Sequence, residues 1–174
     1  MTYEDIVVVD KNDNPIGRAQ MPDAYKNGKI VRVVEVIVLN KKHELLIQKR
    51  GEHILAPGRW GYSAGGHVDH SDTYMQAAKR ELQEEMGIEA REYTEYLYEY
   101  EEVSSSYGDQ PARRFRKHYL AFSEQTPQID NDEVVDYRYL NIKDLRKYVF
   151  ESPQDYMPNI GKSLKKLEQK LADI

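Results

Sequence analysis

A chain of 174 residues is long enough for one domain with a real hydrophobic core. Its formal net charge of −5, with both signs mixed along the length, argues against general nucleic-acid or membrane-surface binding, although bound cations or a local basic cluster would still permit an anionic substrate. The chain has no cysteine, which excludes disulfides, zinc-thiolate sites and a thiol nucleophile.

Met1 is followed by acidic and polar residues, not by a basic, apolar leader. No apolar run approaches the roughly 20 residues needed to cross a bilayer. The expectation is a single cytoplasmic domain over 1–174, with no membrane partner and no stable nucleic-acid partner.

Residues 4–10 (EDIVVVD) read as a strand, and the turn residues KNDNP lead to a hairpin partner at 16–19. Residues 32–40 (RVVEVIVLN) suit a central strand, and ELLIQKR suits an antiparallel neighbour after a turn at 41–43. Residues 51–66 hold five glycines, Pro57 and Trp60, and predict a long loop with one short strand near Tyr62. A helix follows from 71 or 73 to 86, stopped by Gly87. REYTEYLYEYEEV and ARRFRKHYLAF predict two strands, with the loop SSSYGDQP between them as a candidate lid. EVVDYRYL predicts another strand, a short helix starts near 141, and an amphipathic helix runs from 159 to 171. Strands with a few helices and no strict βαβ rhythm give an α+β class, a mixed sheet covered by helices.

The helix carries the chemistry. Projected at about 100° per residue, Met75, Ala78, Leu82 and Met86 form the stripe that faces the sheet. Glu81 and Glu85 lie within about 40° of each other with Glu84 alongside, and Arg80 is expected to point away from Glu84. Like charges at this spacing disfavour a bare helix by a few tenths of a kcal/mol per pair, so something should offset them. A hard divalent cation, Mg²⁺ or Mn²⁺, would do so, and Gly65 and Gly66 would let a backbone carbonyl approach it. A solvated acidic helix face is the alternative for the five residues alone.

The spacing of Gly66, Asp72, Arg80, Glu81, Leu82, Glu84, Glu85, Gly87 and Ile88 resembles the Nudix box, here residues 66–88, of enzymes that hydrolyse nucleoside diphosphates linked to another moiety. One position departs from that pattern: Asp72 stands where the family has Glu. The resemblance implies a Nudix fold, a mixed sheet sandwiched between helices (α/β/α), and a small-molecule diphosphate as substrate. It implies that Glu81, Glu84 and Glu85 hold one to three ions and that Arg80 orients the glutamates without touching substrate. For Asp72 it implies an accessory role, beside the plainer one of a helix N-terminal residue favoured by the dipole. A homodimer is also a family expectation.

Further segments, among them VVEVIVLNKKHELLIQKR, LAPGRWGYSAGGHV and QIDNDEVVDYRYLNIKDL, look like the branch related to isopentenyl-diphosphate isomerase. That enzyme's essential cysteine would fall at Gly65, its first metal histidine near Ile30 to Arg32, and its paired glutamates at Ala112 and Arg114. Only His67 of its metal set is kept, which argues against isomerase proton transfer. A non-catalytic Nudix-fold binding module is the other alternative, and the three retained helix carboxylates argue against it.

Water attack on phosphorus needs a general base, and the candidates outside the box are Glu101, Glu102 and Glu133 of the NDEV turn, the last of which could equally be an exposed turn residue. Arg114 and Arg116 share one strand face and Arg113 and Lys117 the other, so one face could meet phosphate. Arg50, Arg59 and His67 are further substrate candidates beside the glycine loop. Tyr96, Tyr98 and Tyr100 are expected to alternate on one face, as a packing stripe or as a surface for a base.

Overall fold

The structure, a computed structural model, describes residues 5–104, 109–129 and 132–174. The described residues form a mixed nine-stranded sheet with helices against both faces. At its centre lies β3 (Ile30–Leu39), a β-branched run suited to a strand covered on both sides. Along one edge β3 pairs in parallel with β8 (Ala112–Phe122), from Ile30↔Arg113 to Leu39↔Phe122. Three antiparallel strands share its other edge in turn. They are β1 (Asp5–Val9) beside Ile30 and Val31, β6 (Ala64–His67) beside Val33 to Val36, and β4 (Leu45–Arg50) beside Val38 and Leu39. Outward from these, β2 (Pro15–Gln20) pairs with β1, β5 (Trp60–Gly61) and β9 (Val134–Leu140) pair with β4, and β7 (Glu92–Val103) pairs with β8.

Side chains alternate through this sheet and separate two cores. Val34, Val36 and Val38 face one way, onto Ala77, Ala78, Leu82 and Met86 of α2 (Tyr74–Met86). Ile37, Leu39, Leu45 and Ile47 face the other way, onto Leu145 of α3 (Ile142–Glu151) and Ile160, Leu164 and Leu167 of α4 (Pro158–Ala172). The α2 stripe is wider than expected, since Tyr74, Ala77 and Glu85 join Ala78, Leu82 and Met86 as buried residues, while Met75 is only partly buried. A further helix, α1 (Met21–Lys26), has no counterpart among the predicted elements and lays Tyr25 over the start of β3 and β1.

The glycine-rich stretch folds differently from the single short strand expected near Tyr62. Strands β5 and β6 flank Tyr62 and Ser63 instead. The Ser63 hydroxyl accepts from Val38 N–H at 2.8 Å and donates to Leu46 C=O at 2.7 Å. A side chain thus bridges the gap where the edge of β3 passes from β6 to β4. The tyrosine stripe is also corrected. A register shift between Glu95 and Leu97 turns Tyr96 into the α3–α4 core, whereas Tyr98 and Tyr100 pack on Phe115 from the opposite side of the sheet. Of the expected lid at 104–111, residues 105–108 lie outside the described residues.

The ends of α2 are well defined. Thr73 and Gln76 form a capping box, and Gly87 closes the helix in the left-handed region at φ 62°. A Cβ at Gly87 would stand 2.9 Å from Gln128 Cβ, so strain and crowding coincide there. Gly87→Ala should therefore lower unfolding stability by about 1–2 kcal/mol in urea titration.

Candidate active site

Helix α2 presents its carboxylates toward β6, where Gly65 and Gly66 carry no side chains. A Cβ on Gly66 would overlap the Glu81 carboxylate, and one on Gly65 would stand 2.6 Å from Glu35 Oε2. The Gly65 N–H donates to Glu85 Oε1 at 2.8 Å, and the Gln48 side-chain amide donates to Glu85 Oε2. Glu85 is 4% exposed. Burial pushes its carboxyl up to about 8, and the neighbouring Glu81 and Glu133 charges push the same way, against the bonds from Gly65 and Gln48. Burial likewise raises Glu81 to about 7, opposed by Arg80.

Arg80 corrects the helical projection. Its Nη1 donates to Glu81 at 2.9 Å and to Glu84 at 3.2 Å, because residues four apart on a helix lie on nearly the same side. The guanidinium also reaches Asp72 and Asp69, each at 3.3 Å, and the His67 carbonyl at 3.0 Å. It therefore holds two of the box carboxylates and ties them to the loop before the helix. Asp72, one methylene shorter than the family residue, still reaches that arginine as one of its four carboxylate partners. Glu84 is the most open of the box acids, its side chain 58% exposed.

On the far side of Gly65 lies a second charged cluster. Arg116, 4% exposed, is paired by Glu35 and by Glu101, the latter at 2.5 Å. Arg114 shares Glu101, also at 2.5 Å. Although burial opposes it, Arg116 and Arg114 hold the Glu101 carboxyl below its ordinary range. That makes Glu101 a poor proton acceptor. Glu102 is bonded to Tyr100 and Arg113. His67 meets the Tyr25 hydroxyl through Nε2 at 2.7 Å, and burial together with Arg114, Arg116 and Arg80 lowers it to about 4, so it is neutral near pH 7.

The structure thus brings Glu81, Glu84, Glu85, Gly65, Gly66, Asp72 and Arg80 together, with His67, Arg114 and Arg116 across the glycines. Glu133 is exposed on the turn before β9, where its backbone C=O accepts from Gly51 N–H at 2.7 Å. Its charge reaches both Glu81 and Glu85. Arg50 Nε donates to the Leu55 carbonyl at 2.7 Å, and Arg59 is half-buried in the same loop. Three neighbours had no signal in the sequence: Glu35 inside an apolar strand, Gln48 near the end of its strand, and Tyr25 in α1.

Among the described residues no three acidic or histidine groups already converge as a metal shell. The box carboxylates rest on Arg80, Gly65 and Gln48 instead. They nevertheless suit a hard cation: the donors are all oxygen, Glu85 is buried and Glu81 part-buried beside a cradle that a single Cβ would fill, and the Gln48 side-chain oxygen next to Glu85 is buried without a partner.

The NUDIX domain family matches residues 29–160, and the chain belongs to that family. An isopentenyl-diphosphate Delta-isomerase from Photorhabdus laumondii is 30% identical over 158 residues, covering 89% of each chain. An uncharacterized Nudix hydrolase from Pseudomonas aeruginosa is 28% identical, covering 78% of this chain and 77% of its own. The crystal structure of a Deinococcus radiodurans protein superposes with a TM-score of 0.75 at 21% identity, covering 94% of this chain and 98% of the other. The fold is therefore the α+β Nudix fold that the box implied. No described helix is long and apolar enough to cross a membrane.

The raised carboxyls give a pH signature. Glu85 and Glu81 keep their protons in the folded chain to about 8 and 7, while the unfolded chain loses them near 4.5. Their contribution to stability is thus complete at low pH and fades as pH rises through that window. His67 acts oppositely, costing stability as pH falls from 6.5 toward 4. In calorimetry the Tm of the metal-free protein should drop between pH 6.5 and 8.5, and the gain in Tm from Mg²⁺ should grow over the same range. Gly66→Ala, which displaces Glu81, should remove most of that gain.

Proposed function

We propose that this chain is a divalent-metal-dependent hydrolase of a diphosphate linkage in a nucleoside diphosphate derivative or similar small molecule. The reading rests on one observation: the buried Glu85 and the part-buried Glu81 of the box helix face the side-chain-free pair Gly65–Gly66. Asp69, Asp72, Glu81 and Glu84 surround the single guanidinium of Arg80, and Glu85 acts on Glu81 beside them, five acids to one base. Fully ionised, that group carries −4, which favours cations. Glu81, Glu84 and Glu85, with a carbonyl from Gly65 or Gly66, would hold Mg²⁺ or Mn²⁺. The ion supplies Lewis-acid polarisation of the phosphoryl oxygens and lowers the pKa of a bound water.

The remaining work falls to the chain. Glu133 is the best-placed acceptor for the proton of the attacking water, since it is exposed on the turn before β9 and its charge reaches both Glu81 and Glu85. Arg80 holds Glu81 and Glu84 in position, and Asp72 keeps Arg80 in place. Arg114, with Arg50 and Arg59, is the candidate contact for the substrate's phosphates. Arg116 has both sides of its guanidinium engaged by Glu35 and Glu101, so its role is to order that wall.

A second reading, isomerisation of isopentenyl diphosphate, has the support of relatives carrying that name over most of the chain's length. Against it stands the complete absence of cysteine and the presence of Ala112 and Arg114 where that enzyme's acids would fall. A binding module without turnover is a third.

Product analysis of a broad panel of diphosphate compounds, isopentenyl diphosphate among them, separates the three when run with Mg²⁺ and then Mn²⁺, reading phosphomonoesters as well as free phosphate and pyrophosphate. The expected result is hydrolysis of at least one member, reduced about 10²–10⁴-fold in Glu133→Gln, with Mg²⁺ binding intact in that variant. Glu85→Gln should lose both turnover and the Mg²⁺-induced gain in Tm. Conversion of isopentenyl diphosphate with its diphosphate intact would replace the reading with isomerisation, and ligand binding with no turnover would replace it with a binding module.

A further inference from the structure

The one tryptophan of the chain lies away from the box, in a setting the proposed reaction does not use. Trp60 is fixed from both sides of its backbone: it pairs with Lys49 on β4, forms a parallel bridge with Tyr156, and accepts from Met157 N–H at 2.8 Å. The Arg138 guanidinium stacks on its ring at 3.9 Å and lies 5.7 Å from the ring of Tyr148. Lys49 Nζ stands 5.9 Å from the Trp60 ring centre. Trp60, Arg138, Tyr148, Ser152, Asp155 and Tyr156 line a surface pocket of about 260 Å³.

Arg138 is incompletely satisfied there. One Nη donates to the Tyr156 hydroxyl at 2.8 Å, but Nε is buried with no acceptor. Among the described residues no carboxylate stands within ion-pair distance of Arg138 or of Lys49, although the chain as a whole is acidic. A partly buried guanidinium without a counter-ion is costly, and the stack on Trp60 offsets only about 0.5–2 kcal/mol.

We propose that this pocket binds a small phosphate monoester with a hydroxylated body. Arg138 on the pocket lining meets the phosphate with its guanidinium, and Lys49, beside Trp60 and outside the lining, adds a second positive charge nearby for a monoester dianion. Asp155, on the same lining, accepts from a ligand hydroxyl and disfavours a more highly charged anion. Tyr148, 38% exposed, offers an apolar wall for the body of the ligand. The volume admits a single sugar phosphate and is too small for a dinucleotide. The site is separate from the proposed diphosphate reaction and does not depend on it.

Because Trp60 is the sole tryptophan, its fluorescence reports this pocket alone. The metal-free protein would be titrated with ribose 5-phosphate and with inorganic phosphate, against KCl at matched ionic strength. Expected are a saturable change in emission with ribose 5-phosphate and weaker binding of inorganic phosphate. Arg138→Gln should lower the affinity for ribose 5-phosphate about tenfold to a hundredfold. Asp155→Asn should weaken ribose 5-phosphate and spare inorganic phosphate. No saturable change in the wild-type protein up to millimolar ligand would overturn the proposal. So would unchanged affinity in Arg138→Gln, or in Arg138→Lys, which keeps the charge and loses the guanidinium.

Discussion

Two glutamates of α2 have to sit beside a sheet, and a sheet strand ordinarily fills that space with its own side chains. The conflict is resolved by leaving the side chains off. Gly66 yields its Cβ volume to the Glu81 carboxylate, and Gly65 turns its N–H to Glu85 while leaving room for Glu35 behind it. Much of the surrounding structure serves this close approach. Thr73 and Gln76 fix where the helix starts, Gly87 fixes where it ends, and Ala77, Ala78 and Leu82 seat it on Val34 and Val36 of β3. A shift of one residue in β6 would replace the glycines by Ala64 or His67 at the same level and close the gap.

The buried acids cost stability when ionised, and the fold offsets this locally without removing it. Glu85 receives two hydrogen bonds, one from a backbone N–H and one from Gln48, while Glu81 leans on Arg80. Those partners order the carboxylates, and burial still holds them above their ordinary acidity range. Buried charge left partly uncompensated is a common mark of a functional site, because a group satisfied by the protein alone has nothing left for a ligand.

The box and the strands were legible in the sequence because both are local patterns. A periodic apolar run announces β3, the Thr73 to Gly87 frame announces α2, and the Gly-Arg-Glu-Glu spacing announces the carboxylates. What was not legible depends on tertiary geometry. Glu35 interrupts an apolar strand and only the pairing of β3 with β6 shows that it stands behind Gly65. Tyr96 left its expected face because a register shift, which has no sequence signature of its own, inverted the alternation. Arg80 was expected to turn from Glu84, yet a residue four positions away on a helix is a neighbour. Asp72 and Asp69 come to the same guanidinium through the folding of the loop, which spacing along the chain does not reveal.

An acidic protein that handles anionic substrates needs a positive charge from somewhere, either bound cations or a basic cluster. The densest basic run in the chain, Arg113 to Lys117, is already committed. Arg113 pairs with Glu102, Arg114 and Arg116 share Glu101, Arg116 also holds Glu35, and Lys117 pairs with Glu95. The wall across the glycines is therefore close to neutral, with two bases, Arg114 and Arg116, against two acids, Glu35 and Glu101. The box itself has five acids for two bases, Lys79 and Arg80. Under the proposed reaction, the charge that draws a diphosphate to Gly65 and Gly66 has to come from metal ions held by α2. The arginines across the glycines then shape and orient what those ions attract.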